Sequence, residues 1–236
     1  MQSIKRLCPA CGHDFKDDPM QHFNATINPE IRHLLMQGRL FQFFCPVCGR
    51  LLSGMIPLVY VDTDRKFALY FTDNRRKATA LAEVEAADAP EYTRRIVYER
   101  NGLLEKIFVF ESGLDDRAIA MLDADITAYW KRALCSRASI WKLWLDHDTK
   151  AALLKEGSVQ VQAAYFIKRD ADGLYFTLVN DKQLAIPVHV PMADYVLALA
   201  ELAESECFED KNRSLVVDAD WVDGLRLGTC GHSHIS

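Results

Sequence analysis

The chain has 236 residues, half of them hydrophobic, and 28 Lys and Arg stand against 33 Asp and Glu for a formal net charge of −5. That length can bury one large core or two small ones, so no metal is needed merely to supply stability. The acidic balance argues against a protein that coats itself in nucleic acid, because affinity for phosphate backbones comes from clustered Lys and Arg.

The opening, "MQSIKRLCPACG", has no apolar run before its first cysteine. No later stretch approaches the roughly 18 consecutive apolar residues of a membrane span, so a soluble, cytoplasmic protein with no membrane partner is expected. The first segment reads as strand, cysteine turn, strand, helix, strand, cysteine turn, strand. Asn28 can cap the helix, with Pro29 at its first position and Gly38 closing it. "LLSGMIPLVYVD" and "KFALYF" predict a hairpin around "DTDR". A helix in "RRKATALAEVEAA" and a strand in "YTRRIVYER" follow.

"NGLLEKIFVFESG" suits helix and strand equally. From Leu114 to Leu134, apolar residues including Ala118, Met121, Leu122, Ile126, Tyr129 and Trp130 recur every three or four positions, which predicts one buried helical face. Beyond Cys135, "VQAAYFI", "LYFTLV" and "QLAIPVHV" are punctuated as an antiparallel meander. Pro191 can start a helix through "ADYVLALAELAE", and "SLVV" reads as a last strand. The expected division is 1–136 and 156–236, with a soft boundary over 136–156.

The strongest chemical signal is a repeated phrase, "CPACG" at 8–12 and "CPVCG" at 45–49. A CxxC turn lets two thiolates reach one ion, and two such turns complete the tetrahedral four-sulfur site that Zn²⁺ favours. Cys8, Cys11, Cys45 and Cys48 are therefore the predicted metal ligands, with Zn²⁺ the expected ion and Fe the alternative. Pro9 and Pro46 preset the backbone after the first sulfur, while Gly12 and Gly49 allow a left-handed residue after the second. Four sulfurs fill a tetrahedron, so the site is structural and needs neither His13 nor His22.

These two turns, the intervening "INPEIRHLLMQGRLFQFF", the following "PLVYVDTDRKFALYF" and the later "LLEKIFVFESGLDDRAI" resemble the CpXC protein family, over approximately the first half of the chain. The resemblance implies a metal-binding domain and carries no established activity.

Other constellations have plainer readings. "GLDDR" could pair Asp115 and Asp116 as catalytic carboxylates beside Arg117, but Ser112 or Asp115 capping the long helix explains it better. Cys230, His232 and His234 alternate in "CGHSH" and could form a second metal site. His147 in "LDHDTK" lacks a companion nucleophile and reads as solvated surface. "RRK" at 75–77 and "TRR" at 93–95 also read as surface. Trp130, Trp141 and Trp144 read as core packing ahead of an interface.

P-loop, dinucleotide-turn, HExxH, GxSxG and deaminase motifs are absent, which lowers the case for an enzyme. The expectation is an α+β protein with a zinc-ribbon-like N-terminal unit of antiparallel strands and helices, followed by a C-terminal antiparallel sheet with helices. Its expected function is binding or adaptor work with another protein. An enzyme with a site between the halves, or a zinc-ribbon nucleic-acid binder, is the alternative.

Overall fold

A computed structural model of the chain describes residues 6–15, 20–54, 56–136, 140, 146–156, 159–205, 210–212 and 215–228. The fold is α+β, and the chain forms two compact units, Met1–Leu103 and Leu104–Ser236. The division falls inside helix α3 (Arg100–Glu111). Among the described residues, no helix is long and apolar enough to cross a membrane.

In the first unit, β1 (Arg6–Leu7) pairs antiparallel with β2 (Asp14–Phe15), and β4 (Gln42–Phe44) with β5 (Leu51–Ser53). Each of these hairpins encloses one cysteine turn. A four-stranded sheet has the order β3-β6-β7-β8, built from β3 (Gln21–Asn24), β6 (Leu58–Asp62), β7 (Phe67–Phe71) and β8 (Thr93–Val97). The predicted β6–β7 hairpin is present, but β3–β6 and β7–β8 are parallel, so this sheet is mixed. Parallel neighbours need a long return connection. Helix α2 (Arg75–Asp88) supplies it between β7 and β8, and the whole second cysteine hairpin lies in the connection from β3 to β6.

The apolar run of β7 suits an inner strand covered on both faces, and Phe67, Leu69, Tyr70 and Phe71 are all buried. Helix α1 (Glu30–Met36) begins one residue later than Asn28 capping would require, with Pro29 at the cap position. Asn24 takes over the local hydrogen bonding, its Oδ1 accepting from the N–H groups of Thr26 and Ile27. Gly38 ends the helical stretch by donating to the Leu35 carbonyl. A 3-10 turn (Arg39–Phe41) then sets Phe41 edge-on against Phe71, with ring centroids 5.4 Å apart.

The pair Arg94 and Arg95 corrects the sequence reading, since they are 2% and 1% exposed rather than solvated. Their terminal guanidinium nitrogens bond carbonyls. The Arg94 guanidinium bonds the carbonyls of Glu85 and Ala89 at the C-terminal end of α2 and that of Tyr92, while Arg95 Nη1 bonds the Arg94 carbonyl at 2.7 Å. Carbonyls at a helix C-terminus are short of intrahelical donors and carry the negative end of the helix dipole, so they favour a buried guanidinium.

In the second unit, β9 (Val161–Arg169), β10 (Leu174–Asn180) and β11 (Ile186–Val190) form the predicted antiparallel meander, in the order β11-β10-β9. Burial along β10 alternates with period two, as expected of a sheet covered on one face. Helices α4 (Asp116–Ala133) and α6 (Met192–Ala203) supply the opposing layer, with Ala118, Met121, Ile126, Trp130, Ala198 and Leu202 buried against Phe166, Phe176 and Ile186 in one core. Trp130 is thus core, whereas Tyr129 is 54% exposed and lies off the buried stripe. The ambiguous "LLEKIFVF" lies in α3, with Leu103, Ile107 and Val109 buried.

Helix α5 (His147–Glu156) starts at a histidine, and a short α7 (Ala219–Arg226) closes the described chain. Residues 215–217 of the expected last strand are not strand, and they lead instead to Asp218, which caps α7 by accepting from the Trp221 N–H.

Charged groups lie inside this unit as well. The Lys106 ammonium meets the Asp116 carboxylate at 2.9 Å, both side chains being buried. Glu105 Oε1 accepts from the Phe166 N–H, and Thr127 Oγ1 accepts from the Ala164 N–H at 2.9 Å. Both are backbone donors of β9, an outer strand of the sheet, so side chains of α3 and α4 satisfy an edge that would otherwise be open. Burial pushes the Glu105 carboxyl up to about 7, against the pull of Lys106 and the Phe166 N–H, and burial beside Glu105 raises Asp123 too.

These raised values set the sign of a pH effect. Below the ordinary carboxyl range Glu105 is protonated whether folded or not, while between that range and pH 7 only the folded chain keeps the proton. Stability from this group is complete at low pH and lost as pH rises through about 7. Glu105→Gln keeps the acceptor and removes the charge. In urea unfolding it should gain on wild type between pH 5 and pH 8 by about 2 kcal/mol. Parallel stability curves for the two proteins would show that Glu105 titrates normally.

Candidate metal centre

Thirty-three residues lie between Cys11 and Cys45, yet the Sγ atoms of Cys8, Cys11, Cys45 and Cys48 all fall within 4.8 Å of one another. Cys8 Sγ is 3.7 Å from Cys48 Sγ, and Cys11 Sγ is 3.6 Å from Cys45 Sγ. Four sulfurs around one ion at a Zn–S distance of about 2.3 Å lie about 3.8 Å apart along each tetrahedron edge. Those two distances match a tetrahedron edge, and all four sulfurs lie close enough together for the four cysteines to hold one ion.

The two turns are built alike. The Cys8 N–H donates to the His13 carbonyl at 2.8 Å, and the Gly12 N–H to the Cys8 carbonyl at 2.9 Å. In the second turn, the Cys45 N–H donates to the Arg50 carbonyl and the Gly49 N–H to the Cys45 carbonyl, both at 2.9 Å. Each turn carries one buried sulfur residue, Cys8 or Cys45, and one exposed one, Cys11 or Cys48.

Electrostatics within the cluster are strained by like charge. Burial works to raise the Cys8 thiol, but the N–H groups of Ala10 and Cys11 and the Cys11 and Cys48 thiols bring it down to about 6. Cys45 is likewise lowered, against burial, by the N–H groups of Cys48 and Val47 and by neighbouring thiols. Cys11 goes the other way. The His13 N–H favours its thiolate, yet burial and the three nearby sulfurs push it up to about 12. Neighbouring thiolates disfavour further ionisation, whereas a bound cation stabilises all four anions.

The other sequence candidates lie elsewhere. Among the described residues, no histidine or carboxylate joins the sulfurs. His13 contributes backbone to the first turn, and His22 lies on β3 with its Nδ1 3.9 Å from Glu85 Oε1. Cys135 is exposed and outside the cluster. Cys207, Cys230, His232, His234, Trp141 and Trp144 lie outside the described residues.

"GLDDR" resolves into structural contacts in the second unit. Asp115 caps α4, accepting from the Arg117 N–H, and its two oxygens take the Arg117 guanidinium at 3.0 and 2.8 Å. Burial works against the Asp115 charge, but Arg117 holds this carboxyl below the usual range. Asp116 belongs to the Lys106 pair, so the adjacent carboxylates serve different partners. His147 is a surface residue, with a side chain 95% exposed beside the equally open Asp148. What sequence reading missed is the buried Glu105 and Lys106 with the half-buried Asp123, because charged residues on a helix ordinarily mark its solvated side.

The turn glycines give the site a direct test. Gly12 and Gly49 have φ of 71° and 68°, and a Cβ at either would meet no atom within 4 Å. The cost of a side chain is then purely conformational, about 1–2 kcal/mol for a left-handed residue. Gly49→Ala should lower thermal stability by that amount, measured by calorimetry with and without a chelator. Asn at the same position should recover part of the loss, since it tolerates this conformation; equal losses for Ala and Asn would point to a steric cause instead.

Compared with known proteins, residues 7–123 match the CpXC protein family, a span running from the first cysteine hairpin into α4. No curated protein and no solved structure matches the chain. The ordered motifs, the paired hairpins and the clustered sulfurs agree with that match, and this N-terminal half of the chain belongs to the CpXC protein family.

Proposed function

We propose that the protein is a zinc-stabilised binding protein, working in a reducing cytoplasmic compartment, whose cysteine hairpins present a surface to another protein. The observation carrying this reading is the contrast between the sulfurs and their surroundings. All four positions of a tetrahedral ion are taken by cysteine, which leaves no place for water or substrate, while Phe44 and Val47 on the second hairpin are 69% and 65% exposed. Leu7 and Leu51, from the strands flanking the two turns, are exposed as well. Large apolar side chains gathered on one small element suit a protein interface.

Zinc is favoured over iron because a closed set of four cysteines with flanking hairpins needs only a stabilising ion. When bound, zinc supplies no reaction here and simply joins the two hairpins. Among the described residues the cysteines are free thiols, which supports a reducing compartment. The buried positions of Arg94 and Arg95 weaken the nucleic-acid alternative, since they remove two cations from the surface. Pairing of Asp115 with Arg117 and of Asp116 with Lys106 likewise weakens the catalytic alternative.

Two measurements separate the metal from the interface. Elemental analysis of the purified, colourless protein should find one zinc per chain, and Cys45→Ser should lose it with a fall in melting temperature of about 10 °C. An intense visible colour with a reversible redox couple would assign iron instead. The double variant Phe44→Asp, Val47→Asp should keep its zinc and its melting temperature, yet lose the partner that wild type captures stoichiometrically from its native cell. Retention of that partner by the double variant would remove the hairpins as the interface.

A further inference from the structure

We infer that the second unit docks an amphipathic helix carrying basic residues, in a groove between α4, α6 and the outer strand β11. The groove encloses about 520 Å³ and lies wholly within this unit, so it does not rest on the metal reading. Its floor is apolar, formed by buried residues of the core such as Leu122, Ile126, Val190 and Ala198. Each long rim combines an exposed apolar residue with acid: Asp125 and Tyr129 on α4, and Asp194, Leu197 and Glu201 on α6. The spacings of four on α4, and of three and four on α6, put each rim set on one helix face.

Leu197 is 66% exposed although it sits on a helix whose other face is core. An open channel with apolar walls between two helices suits the face of a third helix, which enters with side chains spaced three and four apart. Charge chooses the partner. Asp194 makes no ion pair among the described residues, and Asp125 and Glu201 face each other across the far end of the groove.

The chain already shows how a cation engages these rims. The Arg226 guanidinium, from α7, pairs both nitrogens with Asp125 at 2.8 and 2.9 Å and turns its Nε to Glu201 at 3.3 Å. One arginine thus joins the α4 rim to the α6 rim. A guest helix would repeat that contact farther along, burying leucine-like side chains on the floor and setting Lys or Arg against Asp194. An acidic helix would instead set like charge against Asp194 on the α6 rim.

Two synthetic helical peptides of equal length, one built from Leu and Lys and the other from Leu and Glu, test this against the full-length protein by fluorescence anisotropy. The Leu/Lys peptide should bind, and the Leu/Glu peptide at least about tenfold more weakly. Leu197→Asp should weaken Leu/Lys binding about tenfold, and Asp194→Asn about threefold, with helix content unchanged by circular dichroism. Affinity should also fall with added salt. Equal binding of the two peptides, or binding indifferent to both substitutions, would overturn the assignment. So would a monomer–dimer equilibrium abolished by Leu197→Asp, which would give the groove to a second copy, or a simple long-chain amine that binds as tightly as the peptide.

Discussion

Four sulfurs within 4.8 Å of one another are a charge problem before they are a structure. Backbone N–H groups at the two turns draw Cys8 and Cys45 toward thiolate, and the resulting field pushes Cys11 strongly the other way. A divalent cation removes that conflict, since it rewards every ionised sulfur at once. The order of the first unit's strands is what brings the two hairpins within reach of each other. The first precedes β3, and the second is carried in the connection between β3 and β6, which lie side by side and parallel. Strand adjacency, long-range in sequence and short-range in space, brings a separation of more than thirty residues down to bonding distance.

Both units place charge inside and neutralise it locally. Arg94 closes carbonyls at the end of α2, and Lys106 faces Asp116 between successive helices of the second unit. Removing one member of such a buried pair leaves an uncompensated charge, which is far more costly than the pair's own net worth. These contacts therefore specify arrangement more than they add stability. Glu105 is the exception in kind, because burial favours its neutral form against the pull of Lys106, and Asp123 beside it is raised as well.

Much of this was legible in the residues. The doubled CPxCG phrase located all four clustered cysteines, and period-two and period-3.6 patterns found the β9–β11 meander, α2, α4 and α6. The failures have physical causes. Burial of Arg94 depends on carbonyls at the end of a helix several residues earlier, which no local pattern reveals. Tyr129 sits at helical spacing with core residues, but a stripe has edges, and an aromatic ring at the edge faces outward. The parallel pairing of β7 with β8 followed from a correctly read helix between two strands, and only its consequence for strand direction was overlooked. The β-branched "SLVV" has the composition of a strand, yet it leads into α7, whose cap is Asp218 just beyond it.

The family match and the compact units divide the chain differently. Residues 7–123 end inside α4, yet the second unit runs from Leu104 onward. The motif "LLEKIFVFESGLDDRAI" is therefore unfinished on its own. Its Glu105 takes the Phe166 N–H, the Asp115 N–H donates to the Tyr195 hydroxyl at 2.8 Å, and the apolar face of α4 is buried by strands that begin at Val161. Left without those partners, the same segment would expose buried carboxyls and an apolar stripe to water. The motif's acidic and apolar positions thus form a docking edge for the sheet that follows, and its carboxylates take structural partners there.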